Sequence, residues 1–319
     1  MLALVALALA SDVVGCGRPR KDRPFTRAGV LAELRDRVPG VSLPPDEAVP
    51  GVDDRLDLPY ARRDGRDLLL DVFMPTGAGP YPGVIVVHGG AWKSGDRAME
   101  RPLARQLAAR GFVTATVGYR LGPGGRFPNA LFDLKAAVRW LRSNARAYRL
   151  STARIGAVGA SAGGALVALA GASNADPAYE DAPAPAAAGS EGVTSDLAAV
   201  VDIDGLADFT GADLLAKENR NAGAPTQFLG GGFADRAETW RAASALFHVG
   251  PKSAPTLFIN STGPSPILPG RTEMRDRLRA LGIDSEIVVF PGTPHPFWLV
   301  NPWFTPTVDA AARFLHRHL

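Results

Sequence analysis

The sequence has almost no cysteine. Cys16 stands alone in 319 residues, which excludes an intramolecular disulfide framework and a zinc site built from several thiolates. Histidine is also scarce. His88, His248, His295, His316 and His318 form no His-Glu-x-x-His and no paired-ligand spacing, so no metal and no other cofactor is expected. The apolar run from Leu2 to Ala10 is far shorter than the ~20 residues of a membrane-spanning helix. No basic run is dense enough for a nucleic-acid partner, because the net charge of +3 is spread along the chain. What is present is ordinary globular composition, 46% hydrophobic and 21% charged. A chain of this length buries roughly three quarters of its unfolded surface and folds without staples.

The amino terminus is distinctive. Leu2 to Ala10 fits the apolar core of a secretory signal. Val13-Val14-Gly15-Cys16 then resembles the lipobox of bacterial lipoproteins, although no positive charge precedes the run and Asp12 interrupts it. The expectation is a signal peptide over 1–15 and an exported protein, lipid-anchored to the cell envelope through Cys16. The alternative is an ordinary signal and a secreted or periplasmic protein. Residues 16–49 read as a tether and extension, with Gly17 to Pro24 polar and basic.

From about Asp67 onward, strand-like and helix-like segments alternate. Asp67 to Met74, Val84 to Val87, Phe112 to Val117, Ile155 to Val158, Ala199 to Ile203, Thr256 to Ile259 and Ser285 to Phe290 read as strands. Arg101 to Arg110, Ala130 to Tyr148, Ala162 to Ala170, Glu273 to Leu281 and Val308 to Leu315 read as helices. Repeated β-α-β with continuous apolar strands predicts an α/β fold, a mostly parallel central sheet with helices on both faces. Ala172 to Asp196 is low in complexity and reads as a surface loop. Phe209 to Thr239, with Gly230-Gly231-Gly232, reads as a small cap or lid insertion, about 205–245, in one domain over 50–319.

Gly159-Ala160-Ser161-Ala162-Gly163 matches G-x-S-x-G between a strand and a helix of small residues. That context lifts a serine hydroxyl above a sheet edge and makes Ser161 the candidate nucleophile. His88-Gly89-Gly90-Ala91-Trp92 follows a buried strand, and the amides of Gly90, Ala91 and Ala162 are candidate oxyanion donors. His88 itself reads as a brace for that loop. His295, in Thr293-Pro294-His295-Pro296-Phe297-Trp298 after the last strand, is the candidate base. His248 reads as a packing residue, and His316 and His318 as solvated.

Together with Tyr119-Arg120-Leu121, Phe127-Pro128-Asn129-Ala130, Asp133 and Ala136 to Arg142, these motifs resemble the α/β-hydrolase superfamily. The likeness is to the esterase branch of hormone-sensitive-lipase-like enzymes and bacterial carbohydrate esterases. Ala91 departs from the third glycine of the lipase-type loop, and Ala160 from the acidic residue or glycine common before the serine. The resemblance implies an α/β-hydrolase fold and an acid a few residues beyond Thr256 to Ile259. Here Asn260 to Pro266 carries no carboxylate. Asp204, ending the preceding strand, is the preferred acid, and Glu273 the alternative. A strand's period of two puts Asp202 and Asp204 on one side; Asp202 reads as structural and Asp208 as loop surface.

Leu257 to Asn260, Gly270-Arg271, Glu273-Met274, Pro294 to Trp298 and Pro302-Trp303-Phe304 are similar to bacterial acetyl-xylan or pectin-type acetylesterases. That likeness implies a serine ester hydrolase removing small acyl groups, acetyl foremost, from carbohydrate such as xylan or pectin. Trp298 and Trp303 suit either sugar stacking or the core. The alternatives are a lipase or general carboxylesterase on short acyl esters, and a non-catalytic binding protein on the same fold.

Overall fold

The computed structural model describes residues 25–181, 192–262 and 268–319. The segment 1–15, Cys16, the stretch to Pro24, the middle of the low-complexity loop (182–191) and 263–267 lie outside the described residues.

Among the described residues one sheet has the strand order β1-β2-β4-β3-β5-β6-β7-β8. The strands are β1 (Val52–Arg63), β2 (Arg66–Pro75), β3 (Tyr81–Val87), β4 (Val113–Val117), β5 (Leu150–Ala160), β6 (Val200–Ile203), β7 (Thr256–Ser261) and β8 (Ser285–Phe290). β1 pairs with β2, and β2 with β4, antiparallel. The pairs from β4–β3 through β7–β8 are parallel. The reading from Asp67 onward misses β1. Its signal is Asp64-Gly65, a two-residue loop in which both residues have positive φ (50° and 76°), as a type I′ hairpin needs.

The central parallel strands are covered on both faces. Ile85 and Val87 of β3 face a core shared with α3 (Asn129–Ser143), α4 (Ala162–Ala172) and α8 (Arg271–Ala280). Val84 and Val86 face a second core with α1 (Arg27–Leu34), α2 (Arg101–Ala108) and α9 (Phe304–His318). Two buried faces are why these strands read as unbroken apolar runs. α4 is buried along its whole length, which its Ala/Gly-rich sequence permits because no bulky side chain holds it off the sheet.

The extension over 25–49 is docked on the domain. Thr26 caps α1 by accepting from the Gly29 amide at 3.0 Å, Val30 and Leu34 are buried, and Ser42 bridges to Asn301. Between β6 and β7 the chain forms α5 (Ala212–Arg220), α6 (Ala224–Phe228) and α7 (Phe233–Ala243). Leu214, Phe228 and Trp240 anchor these helices in the first core, with Phe228 stacked on Trp92 at 4.5 Å.

The carboxyl ends of β6 and β7 are fastened by a buried ion pair. Arg271 Nη1 donates to Asp202 Oδ1 (3.3 Å) and Gly205 O (2.8 Å), and Nη2 to Asp202 O (2.7 Å) and Ile259 O (3.2 Å). Its guanidinium also lies 4.9 Å from the Phe258 ring centre. Burial lowers the Arg271 pKa and raises that of Asp202, so each charge depends on the other. Removing one partner strands the other. Arg271→Met is expected to cost about 3–5 kcal/mol in urea unfolding. Arg271→Met with Asp202→Asn should recover part of that loss; no recovery would mean that the carbonyl bonds, not the charges, hold the strand ends.

Candidate active site

At the end of β5 the backbone turns sharply into α4. Ser161 sits at φ 53°, ψ −116°, a region costly for any residue with a Cβ, by ~1–3 kcal/mol. The turn is held because the Ser161 amide donates to Ile203 O at 2.7 Å. Gly163 lets α4 start against the end of β3, since a Cβ there would lie 2.2 Å from Val87 O.

His295, in the loop after β8, has Nε2 2.9 Å from Ser161 Oγ and Nδ1 3.1 Å from Asp204 Oδ2. A carboxylate can only accept, so Nδ1 carries the proton and Nε2 accepts from the serine hydroxyl. The Asp204 side chain is fully buried, whereas that of His295 is 41% exposed. Asp204 is fixed by a residue the sequence reading passes over. Ser261 donates its amide to Oδ1 (2.7 Å) and its hydroxyl to Oδ2 (2.6 Å). No local pattern marks Ser261; only the β6–β7 pairing brings it to Asp204.

Four expectations need correction. Asp204 lies one residue beyond β6 at φ 51°, so strand alternation does not govern it; Asp202 and Asp204 serve different partners. Glu273 is exposed on α8, with no hydrogen bond among the described residues, and does not meet His295. Asp208 is buried and caps its own turn, accepting from the Thr210 amide (2.6 Å) and hydroxyl (2.7 Å). His318 is paired with Asp284 at 2.9 Å rather than solvated.

After β3 three successive residues take positive φ: Gly90 (118°), Ala91 (56°) and Trp92 (57°). Gly90 is required there, because a Cβ would lie 2.0 Å from Ser94 O. The Gly90 carbonyl turns inward to accept from the Lys93 and Ser94 amides, at 3.2 and 3.0 Å. A trans peptide then aims the Ala91 N–H the opposite way. Ala162, the first residue of α4, has no acceptor one turn back. Ala91 and Ala162 both line the cleft beside Ser161. His88 braces the loop. It stacks on Tyr119 at 4.5 Å, its Nδ1 lies 2.7 Å from Gly89 O, and burial depresses its pKa to about 4. His248 packs likewise, against Tyr179.

The cleft has a volume of about 470 Å³. Its lining combines apolar Trp92, Leu206, Leu214, Pro225 and Leu268 with polar Lys217, Glu218 and Asn221 of α5 and the turn after it.

The sequence pattern of the BD-FAE family matches residues 70–269. This chain belongs to the BD-FAE family. It is a carboxylic ester hydrolase of the α/β-hydrolase superfamily. It is 32% identical to esterase LipC of Mycobacterium tuberculosis over 93% of this chain and 77% of that one. Among solved structures it resembles a bifunctional GH43-CE of Bacteroides eggerthii, with a TM-score of 0.69 and 25% identity over 83% of this chain, but only 38% of that one. Esterase Est2 of Thermogutta terrifontis shares the fold at a TM-score of 0.67 and 24% identity, over 84% of this chain and 94% of that one.

Beneath His295 this esterase carries a buried acid that the sequence reading does not single out. Trp298 is core, 1% exposed, and meets the His295 ring edge-on at 5.4 Å. Its Nε1 donates to Glu100 Oε1 at 3.2 Å, while Glu100 Oε2 has no partner among the described residues. Burial, opposed by the Trp298 bond and by Arg27, pushes the Glu100 pKa up to about 7. The unfolded carboxyl ionises near 4.5, so between these values the folded state holds a proton that the unfolded state has released. Stability therefore falls as pH rises through that window and stays lower above it. Glu100→Gln keeps an acceptor for Trp298 and removes the charge. It is expected to raise the unfolding free energy at ~pH 8 by ~1–3 kcal/mol and to change little at ~pH 5. Equal effects at both pH values would show that Glu100 does not titrate in this range.

Proposed function

We propose that this protein is a serine esterase that removes small acyl groups, acetyl foremost, from carbohydrate. The observation that carries the reading is the hydrogen-bonded series Ser161–His295–Asp204 opening onto a cleft lined by both apolar and polar side chains. A sugar ring has the same two characters, C–H faces and hydroxyl edges. Its likeness to the Bacteroides GH43-CE and to the acetylesterase motifs supports carbohydrate as the alcohol.

In the proposed reaction, Ser161 Oγ attacks the ester carbonyl as His295 Nε2 takes its proton. Buried Asp204 holds the imidazolium and its tautomer, and Ser261 keeps Asp204 in place. The amides of Gly90, Ala91 and Ala162 receive the charge on the tetrahedral oxygen. His295 then protonates the departing sugar hydroxyl, and a water activated by His295 releases the acid from Ser161.

The apolar lining favours a second reading, a general short-chain carboxylesterase. Acetate release from acetylated xylan and pectin separates the two, because the second reading predicts turnover of aryl acetates only. Hydrolysis of 4-nitrophenyl acetate should exceed that of the octanoate; the reverse would favour a lipid substrate. Ser161→Ala should abolish turnover. Asp204→Asn should lower kcat by about 10⁴-fold with the melting temperature kept, as the corresponding change does in a serine protease. Glu273→Gln should leave kcat within a few-fold of wild type. A mild Asp204→Asn would leave a serine–histidine pair as the machinery.

A further inference from the structure

A second, smaller cavity of about 120 Å³ adjoins the cleft and shares Ala91 and Trp92 with it. Its polar side chains are Lys93, Arg126 and Gln227; the rest of its lining is Gly122, Pro123 and the stacked Trp92 and Phe228. No carboxylate lines it. Among the described residues neither Lys93 nor Arg126 has an acidic partner, although other arginines nearby do. Arg120, a few residues from Arg126, is held by Asp133 at 2.9 Å, and Arg97 and Arg101 are each 3.0 Å from Asp71.

The acids of the neighbouring cleft are engaged by other groups: Asp204 accepts from Ser261 and His295, and Glu218 Oε2 from the Gly223 amide (2.8 Å) and the Thr226 hydroxyl (2.8 Å) and amide (3.2 Å). Lys217, which lines the main cleft beside Glu218, also has no ion pair among the described residues. The side cavity therefore presents two cations that carry no ion pair among the described residues and no carboxylate in its lining. Lys93 follows Ala91 by two residues, at most ~7 Å of chain, so a group bound there sits about one sugar unit from the ester.

We propose that this side cavity is a carboxylate subsite, in which Lys93 and Arg126 bind an acidic sugar unit, a hexuronate, adjoining the acylated one. The proposal rests on the carbohydrate reading above and narrows it to acidic polymers. The guanidinium of Arg126 offers the paired donors that a carboxylate accepts, Lys93 adds a point charge, and the Gln227 amide can bond a ring hydroxyl. The Trp92–Phe228 wall takes the C–H face.

The test compares acetate release from an acetylated galactoside linked to an adjoining galacturonate and from its counterpart whose adjoining unit is neutral galactose. Wild type should prefer the uronate by about tenfold in kcat/KM, chiefly through KM. The preference should shrink in ~0.5 M NaCl and vanish in Lys93→Gln/Arg126→Gln, whose turnover of 4-nitrophenyl acetate reports intact folding. Separately, digalacturonate should inhibit wild-type aryl acetate hydrolysis competitively, xylobiose should not, and the double variant should escape. Equal rates on the two sugars without digalacturonate inhibition would overturn the subsite and leave the esterase reading standing. A preference that survives the double variant would overturn its assignment to these side chains. If only aryl esters turn over, the carbohydrate reading falls, and the inhibition arm alone decides the subsite. A preference for aryl monosuccinate over aryl butyrate, lost in the double variant, would move the anion to the acyl half and overturn the placement proposed here.

Discussion

The site depends on how closely α4 approaches the end of β3. That contact leaves no room for a side chain at Gly163 and forces Ser161 into left-handed backbone. The strain persists because its surroundings leave no alternative. β5 lies between β3 and β6, Ile203 O takes the Ser161 amide, and α4 is buried along its length. In exchange the serine hydroxyl stands above the sheet edge, and the first amide of α4 is left without a backbone acceptor beside it.

Three buried carboxylates around this turn meet burial in three ways. Asp202 shares a guanidinium with two strand-end carbonyls and becomes part of the scaffold. Asp204 takes an amide and a hydroxyl from Ser261 and keeps an oxygen on His295, so its charge is stabilised and aimed. Among the described residues Glu100 receives only the Trp298 indole, and burial raises its pKa toward neutrality. The differences come from donor supply. Burial raises a carboxyl's pKa, and each donor to its oxygens opposes that rise.

Much of the architecture was legible because its causes are local. Doubly covered strands leave apolar runs, small residues flank a tight turn, and a glycine-rich stretch after a strand marks a close backbone approach. β1 was missed although Asp64-Gly65 announced its hairpin, because the strand's own residues are mostly charged or half-exposed. Asp204 is preferred over Glu273 because it ends a strand, and that holds; the alternation that would put it on one side with Asp202 does not, since its positive φ takes it off the strand. Asp208, expected at the surface, is buried where the chain folds back beneath Pro269, whose carbonyl accepts the Asp208 amide.

The sequence by itself determined the fold class, the serine turn, the oxyanion loop and the histidine candidate. Each is written in a few consecutive residues whose sizes and backbone freedom admit one local geometry. Tertiary structure decided which carboxylate meets that histidine, that Ser261 holds it, that Glu100 lies beneath Trp298, and that Lys93 and Arg126 share a cavity. Those partners are far apart along the chain. Only the pairing of β6 with β7 and the packing of separate loops over the sheet edge set the distances between them, and a hydrogen bond or ion pair is decided by distances of a few tenths of an ångström.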